Sequence, residues 1–357
     1  MKQYLLLLIS TISALLFACG DGKIPTATEP LQELHAAYVT GRPVVDGSGN
    51  EQVWQNSRPF IVHIEKGEAP KVEFNVTFKA IWWKEWAKGA TAWEEKAFLA
   101  LLANWPDDDK NIDKNAWSFD PASSHWSRTN QKSDWLLLRW FSLSELSDLW
   151  YWDAAITNPL GYAEDQYLQS MLMSDSTTKS IIWIDGLNFN NDTATEQNTW
   201  DLNYDDNLTP RDSSDDKPKW AWKVATPSLP RVVTSEEERH HFLLSGDIDF
   251  LRNTPYAKPT AAVTIPGYAL EEPKDEPADI MAAGKWANGE WTLELVRAAA
   301  TPYANDVAFD YKDRWFAQVF YVYVGDDEKS PLDLGSSSIS LFMNRIVLSL
   351  EFVASTN

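Results

Sequence analysis

The chain has 357 residues and carries 52 acidic against 31 basic side chains, a formal net charge of -21. That balance argues against nucleic acid as a partner and against adsorption on an anionic membrane surface. The one cysteine, Cys19, leaves no intramolecular disulfide, no Cys-rich zinc site, no iron–sulfur cluster and no CxxCH attachment of c-type haem.

At the N-terminus Lys2 precedes an apolar run from Leu5 to Leu16, too short to span a bilayer, which closes on Leu16-Phe17-Ala18-Cys19-Gly20. An apolar residue three before a cysteine, with small residues beside it, is the pattern of a bacterial lipobox. Residues 1–18 are therefore expected to be a lipoprotein signal peptide, Cys19 the lipidated residue, and 19–40 a tether. Two or more acyl chains, at about 0.8 kcal/mol per buried methylene, hold a protein without a membrane-spanning helix. Position 20 is Gly and Asp appears only at 21, so the usual retention signal for the inner membrane is missing. The expected location is the cell envelope, lipid-anchored at the outer membrane and facing the periplasm or the cell surface.

The folded domain is expected to begin near Gly41 and run to 357. Strand signals follow at 59–64, 71–82, 96–105, 135–141, 180–184, 291–296, 315–324 and 337–352, with β-branched or aromatic residues and, as in Val72-Phe74-Val76-Phe78, period-two alternation. Helical patterns are few, at 144–155, 168–173 and 235–242. Acidic stretches at 105–115 and 201–219 are expected to be solvated loops. The expected fold is mostly β: a single large β-sandwich, carbohydrate-binding-module-like or immunoglobulin-like, with a few short helices and long acidic loops.

No catalytic set emerges. The five histidines have no metal-ligand spacing, there is no GxSxG and no phosphate-binding glycine loop, and the Asp-rich loops lack the EF-hand order. The chain reads as a non-catalytic electron-transfer or binding protein more than as an independent enzyme. Nineteen tryptophans suit either an aromatic-lined cleft or a large β-core.

Three segments carry a resemblance. The first is Val45-Asp46-Gly47 through Trp54. The second is Asp148-Leu149-Trp150-Tyr151-Trp152-Asp153-Ala154-Ala155 running into Asn158-Pro159-Leu160-Gly161-Tyr162-Ala163-Glu164-Asp165. The third is Ile265-Pro266-Gly267-Tyr268, then Gly284-Lys285-Trp286-Ala287-Asn288-Gly289-Glu290-Trp291-Thr292-Leu293-Glu294, Arg297, and Asn305-Asp306-Val307-Ala308-Phe309. In that order, over about residues 43–325, they resemble the ethylbenzene dehydrogenase gamma-subunit family, the haem-binding domain shared by relatives of dimethyl sulfide dehydrogenase. Asn288-Gly289 between two Trp-bearing strands is also a hairpin turn signal in its own right.

The resemblance implies a β-sandwich holding a non-covalent haem b between Met and Lys ligands. Electrons would pass to or from a partner protein such as a molybdenum oxidoreductase or a cytochrome, with the lipid anchor as the membrane contact. The chain departs from the family pattern at Asp153, where many relatives have Lys, and has no Met in 135–140. The ligand candidates that remain are Met171 and Lys258, with Met173 and Met281 behind them, and each can equally be core filler or a loop lysine. A ligating Lys has to be neutral and desolvated. Trp150 and Trp152 are read as cofactor contacts, and together with Trp286 and Trp291 as sandwich core or as a platform for sugar rings. The alternative function is a cofactor-free β-sandwich module gripping a glycan or an envelope protein.

Overall fold

The computed structural model describes residues 32–66, 72–88, 92–141, 146–174, 181–191, 200–206, 208, 215–222, 231–232, 242–244, 248–250, 256–257, 262–271, 279–303, 306–309, 317–325 and 346–350. The chain divides into two units, Met1–Gln32 and Glu33–Asn357, and the second is the folded body. No helix among the described residues is long and apolar enough to cross a membrane.

The first strands are β1 (Gln32–Tyr38), β2 (Phe60–Lys66), β3 (Val72–Lys88) and β4 (Trp93–Pro106), with the short β5 (Trp117–Asp120) and β6 (His125–Arg128) behind them. Next come β7 (Trp135–Phe141), β8 (Leu146–Asp153), β9 (Tyr162–Ser174) and β10 (Ile181–Asn191). The acidic middle contributes only short pieces: β11 (Trp200–Leu202), β12 (Trp220–Trp222), β13 (Arg231–Val232), β14 (Leu243–Leu244), β15 (Ile248–Phe250), β16 (Tyr256–Ala257), β17 (Val263–Ile265) and β18 (Tyr268–Leu270). The long strands resume with β19 (Ile280–Trp286), β20 (Glu290–Ala298), β21 (Ala317–Gly325) and β22 (Ile346–Leu350).

Twelve of these strands form one mixed sheet in the order β1-β22-β21-β7-β8-β9-β19-β20-β4-β3-β2, with β10 on β9. Because β1 also pairs in parallel with β3, matching Ala36 to Ala80 and Tyr38 to Trp82, ten strands close into a circuit. The result is the mostly β, sandwich-like fold expected from the sequence. Two stretches of the sheet face each other across one core. Phe78 on β3 meets Phe320 on β21 edge-on at 6.1 Å, and Trp105 on β4 meets Trp152 on β8 at 6.0 Å.

Alternation builds that core. On β4, Ala97, Leu99, Leu101, Ala103 and Trp105 point inward, while Ala100 and Leu102 pack under Trp54 on the outer face. On β8, Trp150 and Trp152 point inward, and Leu149 and Tyr151 are buried on the other side. Both faces of β8 are therefore apolar, which hides the period of two and explains why 144–155 reads as a helix in sequence. The stretch 168–173 is likewise strand, inside β9. The helix expected at 235–242 falls almost wholly outside the described residues.

Two further boundaries differ from the sequence reading. Residues 32–38, taken as the end of the tether, are β1, because Leu34 and Ala36 alternate into the core with no exposed surface. The 105–115 loop is not simply solvated: Asp107, Lys114 and Asn115 are buried by hydrogen bonds to the rest of the fold. A polar residue goes inside when its partners are already there.

Candidate functional site

The three motif segments converge, and they do so on one another. Glu294, buried on β20, accepts the backbone N–H of Asp46 at 3.0 Å and of Gly47 at 2.8 Å through one oxygen, and the Trp54 indole N–H at 2.9 Å through the other. Burial pushes its carboxyl up, while those three donors hold it down. The opening DG…W segment is thus clamped by the closing WTLE segment.

The centre is locked in the same way. Asn158 accepts the Gly284 N–H at 2.6 Å and the Trp152 indole N–H at 3.1 Å, and donates to the Gly284 carbonyl at 3.1 Å. Gly284 lies flat against Trp152, and a Cβ there would sit 2.2 Å from the indole. Gly267 of the PGY segment meets the Lys114 and Asn115 carbonyls so closely that a Cβ would sit 2.4 Å from both oxygens. Glycine is required at each by close approach. Tyr268 accepts a hydrogen bond from the Asn115 amide at 2.8 Å.

The deepest part of the constellation is ionic. Arg297 on β20 has no exposed side-chain surface and donates through one nitrogen to Asp148 at 2.8 Å and Asp165 at 2.9 Å, with Asp306 3.9 Å away. Its other terminal nitrogen donates to the Val307 carbonyl, and the guanidinium lies over Trp150 at 4.7 Å and Phe309 at 5.6 Å. Burial alone would lower the Arg297 pKa, but the surrounding aspartates raise it. Burial raises Asp148, raises Asp165 well above its usual value with help from the Asp148 charge, and lifts Asp279 to about 6. Desolvation is the largest cause in each of these three aspartates, so each holds its proton more tightly than a free aspartate does.

Asp153, the point of departure from the family pattern, is fully buried and saturated. It accepts from Lys114 at 3.1 Å, Tyr151 at 2.7 Å, Ser133 at 2.8 Å and the backbone N–H groups of Ala155 and Ile156. Five donors keep a buried carboxylate where a single ion pair would not. A small cleft lies beside this network, lined by Ile112, Lys114, Ala155, Phe242, Gly267 and Tyr268, with room for about one water molecule.

The sequence-derived site residues fare differently. Trp150 and Trp152 are fully buried in the sandwich core, Trp150 against Trp140 at 5.0 Å and Trp152 against Trp291 at 5.0 Å. Among the described residues both are enclosed by neighbouring core side chains, the packing that the sandwich-core reading of these positions expects, and Trp291 is buried with them. Met171 and Met173 lie on β9, opposite Ile184 and Ile182 of β10; Met281, on β19, is exposed. Lys258 and Cys19 lie outside the described residues. The Arg297–Asp148–Asp165–Asp306 lock escaped the sequence reading, although its residues stood in the quoted motifs, because Arg297 and Asp148 are 149 positions apart.

A closed sandwich whose signature residues clamp one another defines a structural family more than an active centre. Residues 143–319 match the ethylbenzene dehydrogenase family model, and this stretch of the chain is a domain of that family. The match is narrower than the stretch 43–325 over which the sequence resemblance runs, yet Glu294 within it holds Asp46 and Gly47 outside it. No curated protein matches the chain.

Proposed function

We propose that the protein is a lipid-anchored cell-envelope member of this family that binds haem b non-covalently and transfers electrons to a partner, a molybdenum oxidoreductase or a cytochrome. The observation that carries the reading is the family match over 143–319, within which the Asp148, Asp165, Arg297 and Asp306 set is intact and engaged. The anchor is Cys19, and the outer membrane is the site. Met171 and Lys258 are the proposed iron ligands. A haem bound in this way supplies a one-electron carrier and leaves substrate chemistry to the partner.

The test uses the full lipoprotein purified in mild detergent. It should carry a b-type haem whose reduced spectrum shows a sharp low-spin α band, and Met171→Ala or Lys258→Ala should convert it to high spin. Unchanged spectra in both variants would remove that ligand pair. Labelled palmitate should enter the wild-type chain and not Cys19→Ala; labelling of both would refute the anchor.

A second reading is favoured by one observation: the described core is filled by Trp105, Trp140, Trp150, Trp152 and Trp291. A cofactor-free binding module fits that packing, and a colourless protein with no affinity for haemin would select it.

A further inference from the structure

Two tryptophans stand outside everything described so far. Trp86 on β3 and Trp93 on β4 are 70% and 68% exposed, in a chain whose other large indoles are mostly core. Burial of an indole is worth far more than exposure, so a pair left in water calls for a partner.

Register puts them on one face. Trp86 lies opposite Glu95 and Lys88 opposite Trp93, so the two indoles are diagonal neighbours about 7–8 Å apart at the backbone, within reach of a single flat ligand. Further down the same face Lys84 lies opposite Ala97, and then buried Trp82 opposite buried Leu99. The hairpin therefore carries an inward-type face beyond the end of the core. Between the core and the two rings sits an ion pair, Lys84 to Glu95 at 3.6 Å, and the opposite face carries a second, Lys96 to Glu94 at 3.6 Å.

These charges select the occupant. Over the hairpin as a whole the three basic residues Lys84, Lys88 and Lys96 balance the three acidic residues Glu85, Glu94 and Glu95, against -21 for the whole chain, so a charged polymer of either sign finds no net complement. A bilayer would strip water from the Lys84–Glu95 pair and return no hydrogen bonds, a cost the two indoles would have to overcome. Two rings interrupted by charges also fall far short of the roughly 800 Å² per partner of a stable protein interface. A neutral sugar chain suits all of it: its C–H faces cover indoles, while its hydroxyls both donate to Glu95 and accept from Lys84.

We propose that Trp86 and Trp93 form a stacking platform for a neutral glycan, with Lys84 and Glu95 reading its hydroxyls. The platform is separate from any haem site and stands whether or not the chain binds haem. Because both side chains are exposed, replacing them leaves the core untouched.

The full lipoprotein in detergent micelles can be run through native gels containing xylan, mixed-linkage β-glucan or dextran, and sedimented with cellulose or chitin. At least one of these neutral glycans should retard or capture the wild type, and Trp86→Ala/Trp93→Ala should weaken that binding at least tenfold while melting at the wild-type temperature. Glu95→Gln should weaken it less. Wild type that binds none of these polymers, or a double variant that binds as wild type does, overturns the proposal. So does Trp-dependent binding to phosphatidylcholine vesicles without any glycan binding.

Discussion

Arg297 sits where β20 crosses the inner layer, and its guanidinium is fixed by Asp148 from β8, Asp165 from β9 and the Val307 carbonyl from the closing segment. Removing the guanidinium leaves several buried carboxyls without a cation. Arg297→Ala is therefore expected to cost about 3–5 kcal/mol, measured as the shift in urea midpoint. The same cluster gives an inverted pH dependence. Asp148, Asp165 and Asp279 bind protons more tightly in the folded chain than in the unfolded one, so the folded state carries more protons and this contribution to stability falls as pH rises. For Asp279 the window runs from its ordinary value of 3.8 to about 6. The contribution is complete below pH 3.8 and lost as pH passes 6. Asp279→Asn, neutral throughout, is expected to flatten the slope of melting temperature against pH between 4 and 6; a slope identical to wild type would contradict the assignment.

At the scale of elements, the hairpin from β19 to β20 was readable from sequence. Asn288 and Gly289 both have positive φ, at 58° and 79°, and Ala287 and Glu290 exchange both backbone hydrogen bonds across them, as a type I′ turn requires. Gly289→Ala is expected to cost about 1 kcal/mol, seen as a lower thermal midpoint with the spectrum of the fold retained. Strand 135–141 was legible for a similar local reason, its apolar run interrupted only at Arg139 and preceded by polar residues. What stayed hidden was non-local. The strand at 146–153 shows no alternation because both its faces carry buried apolar side chains, and β1 lies among tether-like residues until its pairing with β3 is known. The Arg297 lock and the Glu294 clamp join residues far apart in the chain. The motifs were visible as residue types, but their mutual contacts were not, and so the core and cofactor readings of Trp150 and Trp152 stood side by side.

At the scale of the whole molecule, a family domain over 143–319 sits in a sandwich whose interior is packed with indoles. On the proposed reading Met171 and Lys258 are the haem ligands, while Trp150 and Trp152 belong to the packed core. The proposed lipid on Cys19 and the glycan platform at Trp86 and Trp93 would hold the molecule in the envelope from two separate places, so loss of one should leave the other measurable. The most direct measurement is a titration of the haem-free full-length lipoprotein, in detergent, with haemin. The account predicts saturation at about one haem per chain, with a Soret band and a low-spin reduced spectrum, and with the fluorescence maximum of the buried tryptophans unmoved. A titration that never departs from free haemin in detergent would contradict it.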